Sequence, residues 1–540
     1  MSDQRPRVDV AAASDELLTG LLRQPNGQVS PSVYETGRLV ASAPWLAGQD
    51  ARVAFLTQTQ RPDGAWGGPD GYALVPTLSA TEAMLATLAR PDSVNGVGRV
   101  AVAGAVGRGL SRLFEWLHAR VHIPIPDMPA IELIVPSLIA SINEQLDRCR
   151  REPLAGLNRW WAGARLDLPA GMDTARLAGI RARLAAGEGV PDKLVHALEV
   201  AGSAARGARG VRPEASGTVG ASPAATAAWL GDRAPDAADP SRRYLEQIVA
   251  RSGGPVPCGL PVTIFEQAWV LSALARAGIV RRRPTRLVAS LFSALKENGT
   301  PGGAGLPPDA DTTAVTLFAL AELGVFGDLD CLSGYETPTH FCTWPGEQGA
   351  STSVNAHVLE ALGSHPATAE KLSRWLREQQ RADGSWLDRW HASPYYATAC
   401  CALALARFGG EGSAAVVRRA VDWVLETQRS DGSWGRWQGT VEETSYAMHV
   451  LLATRSTEVG HVDEVGHVDV VAPVAARGYA FIASIDQPDP QPLWHDKDLY
   501  APLAIIRANA LAAIHLAQRN PAVADLAQRS RSMQRTSRTA

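Results

Sequence analysis

The stretch Pro308-Asp309-Ala310-Asp311-Thr312-Thr313-Ala314-Val315 puts two acids and two hydroxyls at the head of an apolar run, Thr316-Leu317-Phe318-Ala319-Leu320-Ala321-Glu322-Leu323, that stops at Gly324. Asp309 suits an N-cap and Gly324 a C′ position, so the pattern predicts a helix with Asp311 in its first turn. An ionised Asp in a first turn is stabilised by the helix dipole, which favours the carboxylate over the acid. A second carboxylate two residues away opposes this, because two close carboxylates resist double ionisation and one of them keeps its proton. Asp309 and Asp311 are expected to form such a pair; a plain capped helix is the alternative that the stretch alone leaves open.

Around this helix the chain runs to 540 residues, too long for one ordinary core, and two domains are expected. Lys plus Arg, 52, against Asp plus Glu, 55, leaves −3, which argues against a nucleic-acid surface and allows a local basic pocket. The six cysteines, Cys149, Cys258, Cys331, Cys342, Cys400 and Cys401, form no CxxC pair, and the opening MSDQRPRVDV lacks the apolar core of a signal peptide. A reduced, cytoplasmic protein is expected. Apolar runs such as Leu133 to Ile142 fall far short of the roughly 18 residues that span a membrane. Ala, Leu and Arg dominate and β-branched alternation is scarce, so the fold class is all-α.

The chain echoes itself. Gln60-Arg61-Pro62-Asp63-Gly64-Ala65-Trp66 returns as Gln380-Arg381-Ala382-Asp383-Gly384-Ser385-Trp386 and as Gln428-Arg429-Ser430-Asp431-Gly432-Ser433-Trp434, the last two tryptophans 48 residues apart. That period fits one helix pair per repeat, with Asp-Gly turning the chain from an outer helix to an inner one. Weaker copies at Gly217 to Gly220 and Asn298 to Gly303 precede further helices, the second of them headed by Asp309. Helix pairs arranged as α/α barrels follow, with inner-helix N-termini gathered at each mouth and Asp311 pointing there. Trp66, Trp386 and Trp434 are read as outer-layer packing that staples neighbouring repeats with the glutamines. Residues 172–212 read as partly mobile and 526–540, rich in Ser, Arg and Thr, as a disordered tail.

Together with the Asp-Gly-x-Trp repeats, the Asp309 stretch resembles the DxDD acid motif of class II terpene cyclases. Leu74-Val75-Pro76-Thr77-Leu78-Ser79-Ala80-Thr81-Glu82, Ser222-Pro223-Ala224-Ala225-Thr226-Ala227, Ser353-Val354-Asn355-Ala356-His357-Val358-Leu359-Glu360 and Leu493-Trp494-His495-Asp496-Lys497-Asp498-Leu499-Tyr500 also look like the bacterial diterpene-type branch. The resemblance implies a βγ pair of α/α barrels with the active site between them. The β domain would comprise 1–25 and 280–525, and the inserted γ domain 26–279. By resemblance Asp311 is the general acid and Asp309 the first acid of the motif, while Thr312 stands where the family carries a third Asp. This DxDTT variant resembles the motif of drimane-type sesquiterpene cyclases.

The residue types suit the implied chemistry. Protonating an isolated alkene makes a tertiary carbocation, so the acid must be dry and fixed, and the cavity must offer aromatic faces. Trp344, Trp390, Tyr395, Tyr396 and Tyr500 lie in or near the matching motifs. His391 is the imidazole expected near the acid or the final base, with water as the alternative base, whereas His357, His449 and His495 read as satisfying local hydrogen bonds. The two metal motifs of class I synthases are not found, so the diphosphate should survive. Lys497 and then Arg507 are the expected cations for it, and Asp127 with Glu132 the expected oxygen ligands of Mg²⁺.

The acid motif favours farnesyl diphosphate closing to drimenyl diphosphate; the overall resemblance favours geranylgeranyl diphosphate closing to a copalyl- or halimadienyl-type diphosphate. Two rivals are weaker. A zinc-dependent prenyltransferase-like barrel needs an Asp-x-Cys pair, and Asp330-Cys331 has the wrong spacing. A non-catalytic helical scaffold leaves the paired acids without a reason. The sequence leaves the oligomeric state open, a homodimer included.

Overall fold

The computed structural model describes residues 8–90, 96–118, 124–160, 163–347, 349–454, 470–485 and 490–529. Six helices, Thr263–Arg276, Ala310–Glu322, Thr352–Leu362, Pro394–Phe408, Val441–Ala453 and Leu503–Arg519, pack each on the next and the last on the first. Their sequences explain the ring: Ala, Leu, Val, Cys and Thr cover nearly every face, so each must be buried all round. Val10–Arg23, Thr285–Ala294, Pro366–Gln379, Ala414–Glu426 and Val471–Ser484 carry a single apolar stripe and form the outer layer.

A second ring closes through Val33–Ser42, Leu74–Leu88, Ile131–Arg151, the 3₁₀ segment Leu198–Ala205 and Pro223–Leu230. The chain therefore leaves the first barrel after Val10–Arg23, builds the second, and returns. The return comes earlier than expected. Helix Thr263–Arg276 buries Ala268, Leu271 and Leu274 in the same core as Ala314 and Leu320, so the acid-bearing barrel resumes at residue 263 and not at 280.

The repeats act as staples. Gln60, Gln380 and Gln428 each donate from Nε2 to the glycine carbonyl of their own turn and to a carbonyl of the next outer helix, Ala105, Val416 and Val474, all at 2.8–2.9 Å. Trp66, Trp386 and Trp434, all fully buried, donate from Nε1 to a carbonyl ten residues upstream at 2.6–2.8 Å. Gly384 sits at φ +93, and a Cβ there would come within 2.4 Å of the Arg419 carbonyl. The turn therefore demands glycine on two counts.

Two expectations of disorder are corrected. Residues 172–212 hold helix Ala175–Ala185 and the 3₁₀ segment Leu198–Ala205, with Leu184, Leu198 and Ala201 buried. Residues 521–529 are helical, with Val523 and Ala527 buried, so the expected tail cannot begin at 526; residues 530–540 lie outside the described ones. No helix among the described residues is long and apolar enough to cross a membrane.

Candidate active site

The short ladder Thr300–Pro301 with Pro308–Asp309 delivers the chain to the acid helix, Ala310–Glu322. Asp309 is its N-cap: Oδ1 accepts from the Thr312 N–H at 2.6 Å, and Oδ2 accepts from the Thr312 hydroxyl at 2.9 Å. Burial pushes the Asp309 carboxyl up to about 7, against the pull of the Thr312 N–H and with the Asp311 charge adding to it. Asp311 faces elsewhere. Its Oδ1 lies 2.6 Å from His357 Nδ1, on the neighbouring inner helix Thr352–Leu362. The two acids share no hydrogen bond, so the expected proton-sharing pair is replaced by two separately held carboxyls that sense each other through charge.

Asp311 lines a cavity between the barrels that encloses about 1110 Å³ of empty space, counting its open mouth, and 15% of its side chain is exposed there. Oδ2 of Asp311 has no hydrogen-bond partner among the described residues. The walls are aromatic. Phe265 and Trp269 lie with ring centres 4.4 Å apart, Phe265 meets Trp494 edge-on at 5.6 Å, and Trp344 meets Trp390 edge-on at 5.4 Å. Tyr500 adds a further face beside Trp494. Such faces attract a cation without offering it a nucleophile.

Trp344, Trp390, Tyr500, Asp309, Asp311 and Thr312 thus come together at one cavity. Tyr396 lies behind its wall, stacked on His391 at 4.7 Å and tilted on Trp494 at 4.8 Å, with its hydroxyl accepting from Trp269 Nε1. Tyr395 turns outward to Trp423 at 4.6 Å, because residue 395 precedes 396 by one helical step and points to the outer layer.

Four expected roles are corrected. His391 is not the acid's neighbour: it is fully buried between Glu442, 3.3 Å from Nε2, and the N–H of Ser393, 3.0 Å from Nδ1. Lys497 is not free for a diphosphate, since its buried ammonium reaches Glu35 at 2.6 Å, Glu199 at 3.0 Å, Ser222 Oγ at 2.8 Å and the His196 carbonyl at 2.9 Å. Arg507 points outward and pairs with Glu16. His357, expected to satisfy a local hydrogen bond, is the partner of Asp311. Its signal was an imidazole set among Val354, Ala356, Val358 and Leu359 of an inner helix.

Asp127 and Glu132 flank Pro129, which lines the cavity. Asp127 is 72% exposed and pairs with Arg389 at 3.1 Å across the two barrels, while Glu132 lies 3.8 Å from Arg176. No group of three or more metal-binding side chains occurs among the described residues. Two exposed carboxylates suit Mg²⁺ where phosphate oxygens and water complete the shell. Lys193, missed by sequence reasoning, is an exposed residue that lines the cavity. The indole N–H groups of Trp344 and Trp390 are buried and without a partner among the described residues.

Residues 348–502 match the model of the squalene-hopene cyclase C-terminal domain. The chain is 43% identical to the ent-copalyl diphosphate synthase of Streptomyces sp. (strain KO-3988) over 520 residues, 94% of this chain and 96% of that one. It is 41% identical to the labda-7,13-dienyl diphosphate synthase of Streptomyces clavuligerus over 535 residues, 96% and 95% of the two chains. The solved ent-copalyl diphosphate synthase of Streptomyces platensis superposes with a TM-score of 0.88 at 45% identity, covering 94% of this chain and 99% of that one. With paired α/α barrels, an acid helix opening on an aromatic cavity and these relatives along nearly its whole length, the chain belongs to the bacterial class II terpene cyclases, enzymes of protonation-initiated cyclisation.

Proposed function

We propose that this cyclase acts on geranylgeranyl diphosphate and closes it to a copalyl-type bicyclic diphosphate, with the diphosphate retained. The observation that carries the reaction type is the Asp311 carboxyl, held at Oδ1 by His357 on the wall of an aromatic cavity, with Oδ2 unpartnered among the described residues. A proton on Oδ2 moves to the terminal alkene; the O–H bond breaks, a C–H bond forms, and a tertiary cation is left for the next alkene to attack. His357 positions the carboxyl, and as an imidazolium it stabilises the carboxylate left behind.

The C20 chain length is supported by relatives named for copalyl and labdadienyl diphosphates at 43% and 41% identity. The C15 reading rested on Thr312, and the contacts of Thr312 are local, because its hydroxyl and N–H both hold Asp309. They set a neighbouring carboxyl and measure no chain. For the diphosphate, Lys193 replaces Lys497 as the cation. Asp127 and Glu132 would hold Mg²⁺, which when bound supplies charge neutralisation to the phosphates. Competition between farnesyl and geranylgeranyl diphosphates at equal concentration tests the reading: a clear preference for the C20 chain is expected, and a preference for farnesyl diphosphate yielding drimenyl diphosphate would return the farnesyl assignment.

A further inference from the structure

Two buried glycines, Gly259 and Gly302, line the active cavity. Their neighbours in the chain are glycine by necessity. A Cβ on Gly303 would overlap the Pro261 carbonyl, and Gly305 holds a φ of +94. Gly259 and Gly302 are under neither constraint: both lie outside the left-handed region, and a Cβ on either meets no atom closer than 3.5 Å, which is ordinary contact. The backbone and the packing at these two positions accept a side chain, so what glycine contributes there is open cavity.

The two spaces lie in different surroundings. A Cβ on Gly302 falls among Phe265 Cβ at 3.5 Å, Leu306 Cδ1 at 3.5 Å and Thr312 Oγ1 at 3.7 Å, beside the acid motif. A Cβ on Gly259 lies 3.6 Å from each of Asp496 Oδ2, His196 Cε1 and the Ala221 carbonyl oxygen. His196 follows shortly after Lys193, the cation assigned to the diphosphate, and both line the cavity. Gly302 thus belongs to the alkene end and Gly259 to the diphosphate end. Farnesyl and geranylgeranyl diphosphates both bring a terminal alkene to Asp311, and the three isoprene units counted from that alkene, which close to the bicycle, are common to the two chains. The fourth unit, between bicycle and diphosphate, exists only in the C20 chain and lies toward Lys193.

We propose that Gly259 sets the chain length this cyclase accepts: the space left by its missing side chain receives the fourth isoprene unit of geranylgeranyl diphosphate. The selection is steric. A side chain at 259 takes the volume of the extra unit and leaves the shared units untouched, whereas a side chain at 302 crowds both substrates alike. One methylene of misfit in an apolar pocket is worth about 10- to 200-fold in kcat/KM, enough for a single residue to choose between two chains.

This assignment rests on the C20 reading, and the two fail separately. Wild type is first assayed with both diphosphates; a preference for farnesyl diphosphate would overturn the C20 reading itself. In an enzyme that prefers the C20 chain, Gly259→Val should lower the ratio of kcat/KM for geranylgeranyl over farnesyl diphosphate by about 10- to 200-fold, chiefly through lost C20 turnover. Gly302→Val should slow both substrates and leave that ratio near the wild-type value. An unchanged ratio in Gly259→Val would overturn the assignment. So would equal losses on both substrates in a Gly259→Val protein that melts like wild type, because a merely structural role lowers both alike. A ratio that falls as far in Gly302→Val as in Gly259→Val would overturn it too, since chain length would then not be read at residue 259. Should Gly259→Val fail to fold, Gly259→Ala, whose methyl sits in ordinary contact, decides: a ratio lowered in the same direction supports the assignment, and the wild-type ratio overturns it.

Discussion

His357 and Asp311 stand 46 residues apart in the chain and 2.6 Å apart at Nδ1 and Oδ1. Burial, the largest influence on this imidazole, favours its neutral form, yet the Asp311 charge and the nearby Cys400 outweigh it and hold His357 well above its ordinary range. The ring therefore pairs as a cation with the ionised Asp311, and a carboxyl whose carboxylate is stabilised in this way gives up its proton more readily. Replacing it, as in His357→Phe, should lower single-turnover cyclisation by about 10²- to 10⁴-fold while helical content is kept. A rate within tenfold of wild type would mean that the ring only fills space.

Asp311→Asn should abolish turnover with the melting temperature close to wild type, because the amide keeps the shape and carries no acidic proton. Full activity in that variant would end the mechanism.

Asp309→Asn should be slower and not dead, and it carries the pH dependence. The Asp309 carboxyl is raised to about 7, above the unfolded value of about 3.9. Its raised pKa means that the folded protein holds a proton there that the unfolded chain has lost. The associated stability is fully present below about pH 4 and lost as pH rises through about 7. Ionising Asp309 also places a negative charge near Asp311, which weakens it as an acid. Wild-type turnover should therefore fall as pH rises through about 7, and the Asp309→Asn profile should lack that limb. Identical profiles in a kcat titration would remove Asp309 from the acid's electrostatics.

Lys497→Met separates a structural lysine from a substrate-binding one. The ammonium lies between Glu35 and Glu199, all three side chains at most 2% exposed. Removing it leaves buried carboxylates uncompensated, which should cost about 3–5 kcal/mol of stability in denaturant unfolding. The KM of the folded fraction should change little. Unchanged stability with a greatly raised KM would restore Lys497 to the diphosphate.

Turnover should require Mg²⁺ and release no inorganic diphosphate, because the metal holds a leaving group that never leaves. A phosphate assay after pyrophosphatase treatment should stay at background while product accumulates. Diphosphate release in step with product would contradict the retained-diphosphate mechanism. Asp127→Ala with Glu132→Ala should raise the Mg²⁺ concentration needed for half-maximal rate, and an unchanged requirement would move the metal elsewhere.

The amino-acid order by itself determined the local and periodic features of this protein. Asp309 caps the acid helix because a carboxylate at that position finds the N–H three residues on, and Gly384 or Gly432 turns the chain because only glycine fits a left-handed turn pressed against the next outer helix. The α/α rings follow from inner helices apolar all round beside outer helices with one stripe. Tertiary structure alone decided which distant groups meet. His357 reaches Asp311, His495 reaches Tyr72, and Lys497 is sealed between Glu35 and Glu199, across separations of 46, 423 and, for Lys497 and Glu199, 298 residues. Spacing along one helix says which face a side chain is on; it does not say what the neighbouring barrel presents to that face. Whether a lysine is a substrate cation or a buried counter-charge, and which histidine attends the acid, are settled by partner and burial, which exist only once both rings have closed.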